Sequence, residues 1–506
     1  MRASVVSGAV LLALLPVAVT ACSSAQAGGG SGPATVHIAL ADDPSSLDPQ
    51  AVEDGNALAV YGNVNEALVF RTAADNKPIP GLALSWSNTS PKTWEFNLRP
   101  NVTFSDGEAF NADAVVYSIK RITNPKYPTQ QSDWVGDITG ATKVGNLTVD
   151  ITTSAPDPQI PARMSLIMMV GPKSSQRADF ATHPVGTGPY VMSSWLKGSQ
   201  AVITANPRYW GGAPQIKKAI FQPVKEPTLR LSSLTTGEIN LVSDLLPEQM
   251  SQVPKAVRAP GLEFPTLILN TRGGPFADVR VRQAANYAVD KQAILQKLYS
   301  GFGKIANCQI MGPAVFGYNP TLKPFDYDLN KAKSLLAEAN QPHPSITLVG
   351  DSTGRWLKDV ELEQAIAGYL TNAGFNVKLQ LADFATYLKA LFPQTNNAKV
   401  SRPDSVFVSH DNVLGDADVT FSTYMQSTGS GASTKNSQMD QLVLSGRNGL
   451  DSATRENAYH QVNAMACTDA DFLFLMNLDN VYGTTKNLSW SPRYDAAILV
   501  KDMRLG

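Results

Sequence analysis

Three consecutive segments constrain the fold more than anything else in the chain: SITLVG (345–350), LKDVELEQAIAGYLTNAG (357–374) and FNVKLQLA (375–382). The outer two are short and rich in β-branched and apolar residues, as strands are, and the middle one has helical length. Strand, helix and strand in that order predict a parallel βαβ unit with a right-handed crossover, and therefore an α/β fold. The rest of the chain alternates in the same manner. TVHIALA (35–41), TWEFNLRP (93–100) and LTVDITTS (147–154) read as strands. Segment 111–122 reads as a helix opened by Asn111 or Asp113, with Val115, Val116, Ile119 and Ile122 at helical spacing. Segment 277–301 predicts two helices, capped by Asp278 and Asp290 and stopped at Gly301. A further capped helix over 328–340 sets Ala332, Leu335, Leu336 and Ala339 on one face.

The front of the chain says where such a fold works. Arg2 is the only charge before the apolar run 10–19, which is too short to span a bilayer. Val19-Thr20-Ala21-Cys22 follows at once. This pattern resembles the bacterial lipobox: residues 1–21 would be removed as a signal peptide and the Cys22 thiol acylated. Each buried acyl methylene contributes about 0.8 kcal/mol, and stable anchoring takes two chains or more. An ordinary secretory signal cut near Ala27 is the other reading. Residues 22–33 are mostly Gly, Ser and Ala, with too little apolar surface to order themselves, and read as the lipidated cysteine and a flexible linker.

Nothing later in the sequence is apolar for long enough to cross a membrane. With 43% hydrophobic and 17% charged residues the composition is that of a folded globular chain. A net charge of −1 without a basic block argues against nucleic acid as a partner. Once Cys22 is set aside, Cys308 and Cys467 remain as a pair. In an exported protein they are expected to form a disulfide; two buried thiols that never meet are the alternative.

A series of blocks resembles the bacterial extracellular solute-binding proteins of family 5, the receptors of ABC importers for oligopeptides, dipeptides, nickel and some glycosides. In chain order they are DDPSSLDPQ (42–50), the long block 83–122, PVGTGPYVMSSW (184–195), NPRYWGGAPQIKKAIF (206–221), LSSLTTGEINLV (231–242), LILNTRGGPFADVRVRQAANYAVDKQAIL (267–295) and FDYDLNKAKSLLAEAN (325–340). Locally most of these read as scaffold, such as the turn at Asp106-Gly107.

The resemblance implies a two-lobed α/β fold of the periplasmic-binding-protein kind, type II with an extra middle domain. Lobe I would combine 34–61, 184–270 and 481–506, the middle domain 62–183 would pack on it, and lobe II would span 271–480. Hinges between the lobes would lie near 269–271 and 480–483. Such a receptor, expected as a monomer on the outer face of the bacterial plasma membrane, closes on a small molecule or peptide and passes it unchanged to the permease. It needs no cofactor. The sequence holds no Walker-type phosphate loop, so ATP hydrolysis would fall to a separate ATPase subunit.

The resemblance also points to VSHDNVLGDADVTFSTY (408–424) as the ligand segment. Peptide-binding relatives carry an acidic loop there, one aspartate of which meets the ligand's ammonium. Asp411, Asp416 and Asp418 keep the acidity, with Asp411 the first choice for that anchor and Asp416 the next. The loop departs from the family pattern: the tryptophan is not matched, a residue or two is inserted, and Ala417 stands where proline is usual. His410 and Tyr424 are candidates to shape the same cleft. A solvated acidic turn is the plain alternative.

Two rival functions stay open at this point. Gly350-Asp351-Ser352-Thr353-Gly354 matches G-x-S-x-G between a strand and a helix. Asp411 or Asp416 with His460 would complete the Ser…Asp…His order of a secreted serine hydrolase. That motif is short, and no oxyanion-type HGGG precedes it. A lipoprotein without a transport role is the other. The five histidines are scattered with no H-E-x-x-H, so no metal site is predicted.

Overall fold

The computed structural model describes residues 34–393 and 402–506. The expected signal peptide, Cys22 and the linker lie outside the described residues. Strand Ser345–Asp351 pairs in parallel with Asn376–Ala382, Ser345 opposite Asn376 and Asp351 opposite Ala382. Between them, helix Asp359–Ala373 buries Leu362, Ile366, Leu370 and Ala373 at helical spacing. It ends at Gly374, whose φ of 117° an L side chain rarely adopts. This βαβ unit sits in a five-stranded sheet ordered Asn376–Ala382, Ser345–Asp351, Ser405–Asp411, Glu263–Leu269, Phe472–Phe474.

The other large sheet has eight strands. Its path is Lys255–Pro260, Met476–Thr484, Leu241–Val242, Thr35–Leu40, Lys218–Pro223, Gln200–Ala205 and Tyr190–Leu196, with Gly303–Ile305 beside Met476–Thr484. A four-stranded antiparallel sheet, Ala83–Ser90, Thr93–Leu98, Thr148–Thr153 and Ile138–Gly145, lies inside the segment expected for the middle domain. Helix Ala112–Ile122 covers it through Val115 and Ile119. Asn111, Asp278, Asp290 and Asp328 each cap a helix by accepting a backbone N–H, as their sequence positions suggest.

The chain leaves the eight-stranded sheet after Pro260 and enters the five-stranded one at Glu263; on the way back Met476–Leu478 still pair with Gly303–Ile305, and Asp479–Thr484 pair with Lys255–Pro260. The first crossing comes several residues before the 269–271 expected for it, whereas the second, at Leu478–Asp479, lies next to the expected 480–483. The reason for the early first crossing is the run EFPTLIL, which pairs with Ser405–Asp411 on one side and Phe472–Phe474 on the other. It is an interior strand of the second lobe, not the tail of the first. The crossings touch: Gly261 N donates to Leu478 O at 3.0 Å, and Asn477 Nδ2 donates to Gly261 O at 2.9 Å. Cys308 and Cys467 are bonded, with Cα atoms 5.3 Å apart, tying the loop after Gly303–Ile305 to helix Ser452–Asp469.

Candidate functional site

A cleft of about 990 Å³ opens between the two large sheets. One wall carries Leu40, at the end of its strand, with Asn56 and Ala59 of helix Gly55–Tyr61. The other carries Glu263, Tyr299 and the turn 354–361. That turn follows the carboxyl end of the parallel strand Ser345–Asp351, the edge where α/β sheets place ligands. Trp356 is fixed there, edge-on to Tyr387 and Phe407, and Tyr299 OH donates to Leu357 O at 3.1 Å. The volume falls within the range of about 300–1,000 Å³ that small-ligand sites occupy.

Carboxylates collect on the second wall. Glu263 stands opposite Asp411 in antiparallel register. Burial pushes Glu263 up to about 7; Ser409 Oγ, donating at 2.7 Å, opposes this, and the charges of Asp411 and Asp359 add to it. Asp359 accepts from Trp356 N and Val360 N at 2.9 and 2.7 Å, yet burial still raises its carboxyl. Asp411 does not itself line the cleft, and its carboxylate makes no hydrogen bond or ion pair among the described residues. Solvent reaches it, but surrounding protein limits its hydration, and burial with the charge of Glu53 pushes it up to about 6. Water and salt in the cleft screen part of that repulsion. Glu53 lies just before helix Gly55–Tyr61, whose Asn56 and Ala59 line the opposite wall; burial raises it, Asp133 adds to this and Trp134 opposes it through a hydrogen bond.

A second cavity, of about 270 Å³, adjoins this acidic group, with Leu58, Phe70, Trp134, Met168, Leu262 and Val413 among its lining residues. Val413 and Leu262 come from the second lobe, and the other four from the opposite side. Around it the lobes are bonded directly. Arg71 donates to Val413 O and to Leu414 O, and Gln159 Nε2 to Asp418 Oδ2 at 3.0 Å. Lys358, which with Arg355 lines the wide cleft, pairs with Glu248 at 3.1 Å.

The remaining candidates from the acidic loop have other duties. Asp416 caps helix Ala417–Tyr424 through Asp418 N and pairs with Arg455 at 2.7 Å, both side chains 7% exposed. Asp418 pairs with Arg447 at 2.9 Å and accepts from Gln159. The expectation that either anchors a ligand amine is set aside, because a buried carboxylate already matched by an arginine has no unmet charge to offer. His410 is buried, bonded to Thr420 Oγ1 at 2.8 Å and edge-on to Tyr424; burial lowers it to about 4, so its ring is neutral. Tyr424 packs in the core beneath the loop. These two shape the loop from behind and do not line either cavity.

The nucleophile-elbow reading of Ser352 also fails on geometry. His37 bonds Gln222, His183 bonds Thr182, His343 bonds Gly374 O, His410 bonds Thr420 and His460 bonds Tyr318 O. None serves Ser352, which lies exposed in a strand-to-helix turn held by Asp351 accepting from Thr353. Sequence reasoning missed Glu263, Asp359, Glu53 and Arg71. A glutamate opening the otherwise apolar EFPTLIL is the one signal available for Glu263; Asp359 sits at the start of the helix of the βαβ unit, where its position suggests scaffold, and nothing marks Glu53 or Arg71.

Residues 77–433, more than half of the chain, match the family described as bacterial extracellular solute-binding proteins, family 5 Middle. The chain is 30% identical over 346 residues to the nickel-binding periplasmic protein of Escherichia coli K12, a match spanning 64% of this chain and 66% of that one. It is 26% identical over 465 residues to the dipeptide-binding protein of the same organism, covering 82% of each. Among solved structures, HbpA2 from Haemophilus parasuis superposes with a TM-score of 0.83 at 23% identity, over 93% of this chain and 100% of that one. The last likeness shows the shared two-lobed fold.

Proposed function

The chain belongs to the bacterial extracellular solute-binding proteins, family 5, which bind solutes and are not enzymes, and from that premise we propose that it captures an amine-bearing solute, most simply a peptide, between its lobes. Asp411 receives the ammonium. The observation that carries this reading is that the Asp411 carboxylate is reached by solvent, feels the charge of Glu53 beside helix Gly55–Tyr61 and has no side-chain partner among the described residues, whereas Asp416 and Asp418 of the same loop are matched by arginines. An ammonium between Asp411, Glu53 and Glu263 relieves the repulsion among three carboxylates, a gain that requires both walls at once. Contacts made only when the lobes meet are what shift a two-state receptor towards closure.

The closed form would be read by the permease of an ABC importer, and Cys22 would hold the receptor at the membrane by its acyl chains. Asp411→Ala is expected to weaken a free tripeptide at least tenfold in titration calorimetry while leaving its acetylated counterpart, already weak, unchanged. Equal affinity of both peptides for the unaltered protein would overturn the anchor. Fatty-acid labelling in cells that disappears in Cys22→Ala tests the tether, and labelling that persists refutes it.

A further inference from the structure

We propose that the 270 Å³ cavity is a selectivity subsite that takes one large apolar group, aromatic or branched aliphatic, carried next to the amine that Asp411 receives. This rests on the amine-binding reading above. The placement comes from two links. Val413 of the cavity lies two residues beyond Asp411 on the same chain segment, and Trp134 of the cavity hydrogen-bonds Glu53, whose charge acts on Asp411. A ligand with its ammonium at Asp411 therefore has the cavity on one side and, through Glu263, the wide cleft on the other.

The charged residues around the cavity already have partners within the protein, Lys501 among them through Asp502 at 2.7 Å. Glu66 accepts from Tyr209 OH at 2.9 Å and from Trp210 Nε1 and Thr187 Oγ1 at 2.8 Å. Arg71 directs Nε to Ser165, Nη1 to Asn76 and Val413 O, and Nη2 to Ala162 O and Leu414 O. Arg493 is held in bidentate fashion by Asp495. What faces inward is Leu58, Phe70, Leu166, Met168, Leu262 and Val413. An apolar cavity of about 150 Å³ holds a benzene ring, so this one has room for an indole or a branched aliphatic chain. Because the lining draws on both lobes, a side chain seated here adds contacts that only the closed form has.

The test is a calorimetric series of tripeptides X-Gly-Gly with X as Ala, Leu, Trp or Asp. Leu and Trp are expected to bind roughly ten to a hundred times more tightly than Ala, from burial of the side chain, and Asp more weakly than Ala. Free indole, without any amine, is expected to raise the melting temperature. Val413→Phe fills the cavity from a residue whose backbone carbonyl, not its side chain, holds Arg71; it should abolish the indole effect and the advantage of Trp over Ala. Should the variant not fold, the series on the unaltered protein decides. Binding that depends on the free amine but is flat across X, with no response to indole, overturns the subsite and leaves the anchor standing. A response to indole that Val413→Phe removes, with no tripeptide bound, supports the subsite and overturns the anchor. Silence towards indole and every tripeptide overturns both.

Discussion

If Asp411 holds an ammonium, affinity must follow its ionisation. The complex requires the charged carboxylate, so a proton competes with the ligand, and binding weakens as pH falls through the value in the empty cleft. With that value at about 6, nearly all of the carboxyl is ionised at pH 7.5 and about one tenth at pH 5, so Kd rises about tenfold between them. An ordinary exposed aspartate would hold Kd almost constant over the same window. Glu263, at about 7 in the empty cleft, is part-protonated at neutral pH and loses protons when a cation arrives. Titration calorimetry of a free tripeptide at pH 5, 6 and 7.5, in two buffers of different ionisation heat, reads both the slope and the protons released. Asp411→Asn keeps the shape and removes the charge. It should weaken binding at pH 7.5 by roughly ten- to a hundredfold, the contribution of a charge-assisted hydrogen bond, and leave only the part of the slope that Glu263 carries. A Kd that is the same at pH 5 and 7.5, or a slope undiminished in Asp411→Asn, refutes the assignment.

Asp416→Ala removes both a helix cap and one half of a buried ion pair, and should lower unfolding free energy by about 3–5 kcal/mol in denaturant titrations. The bridge Cys308–Cys467 joins residues 159 apart. Chain entropy assigns such a closure about 5 kcal/mol, of which bridges commonly deliver about 2–4. Cys308→Ala paired with Cys467→Ala should show that loss, together with insensitivity of the melting temperature to reductant. Glu363 is fully buried against Gly350, and burial pushes it up to about 8. A carboxyl raised above its unfolded value favours folding least at high pH, so stability should fall as pH rises from about 4.5 to 8. Glu363→Gln should remove much of that fall, as read by melting temperature across the range.

Much of the architecture could be read from local patterns. Helix caps at Asn111, Asp278, Asp290 and Asp328 are contacts within three residues, and the sequence carries them whole. The βαβ unit follows from length and composition in the same way. The first crossing falls earlier than expected because an apolar run such as EFPTLIL declares itself a buried strand without declaring which sheet buries it. The acidic loop shows the same limit. Asp411, Asp416 and Asp418 look alike in one dimension. What separates them is Arg455, Arg447 and Gln159, the last 259 positions away from its partner. His410 fails as a candidate for the corresponding reason: Thr420 and Tyr424, which enclose it, are visible only once the following helix has folded back.

The stitch at Gly261 bears on how the halves of the molecule swing. Because the outgoing and returning strands are bonded side by side there, they behave as a single pivot instead of two independent tethers, and bending one drags the other. A methyl group at Gly261 would sit 2.8 Å from Leu478 O and from Asn480 Oδ1, so any larger side chain wedges the axle itself. Displacement grows with distance from such an axle, and spectroscopic labels far from residue 261 would report the swing best.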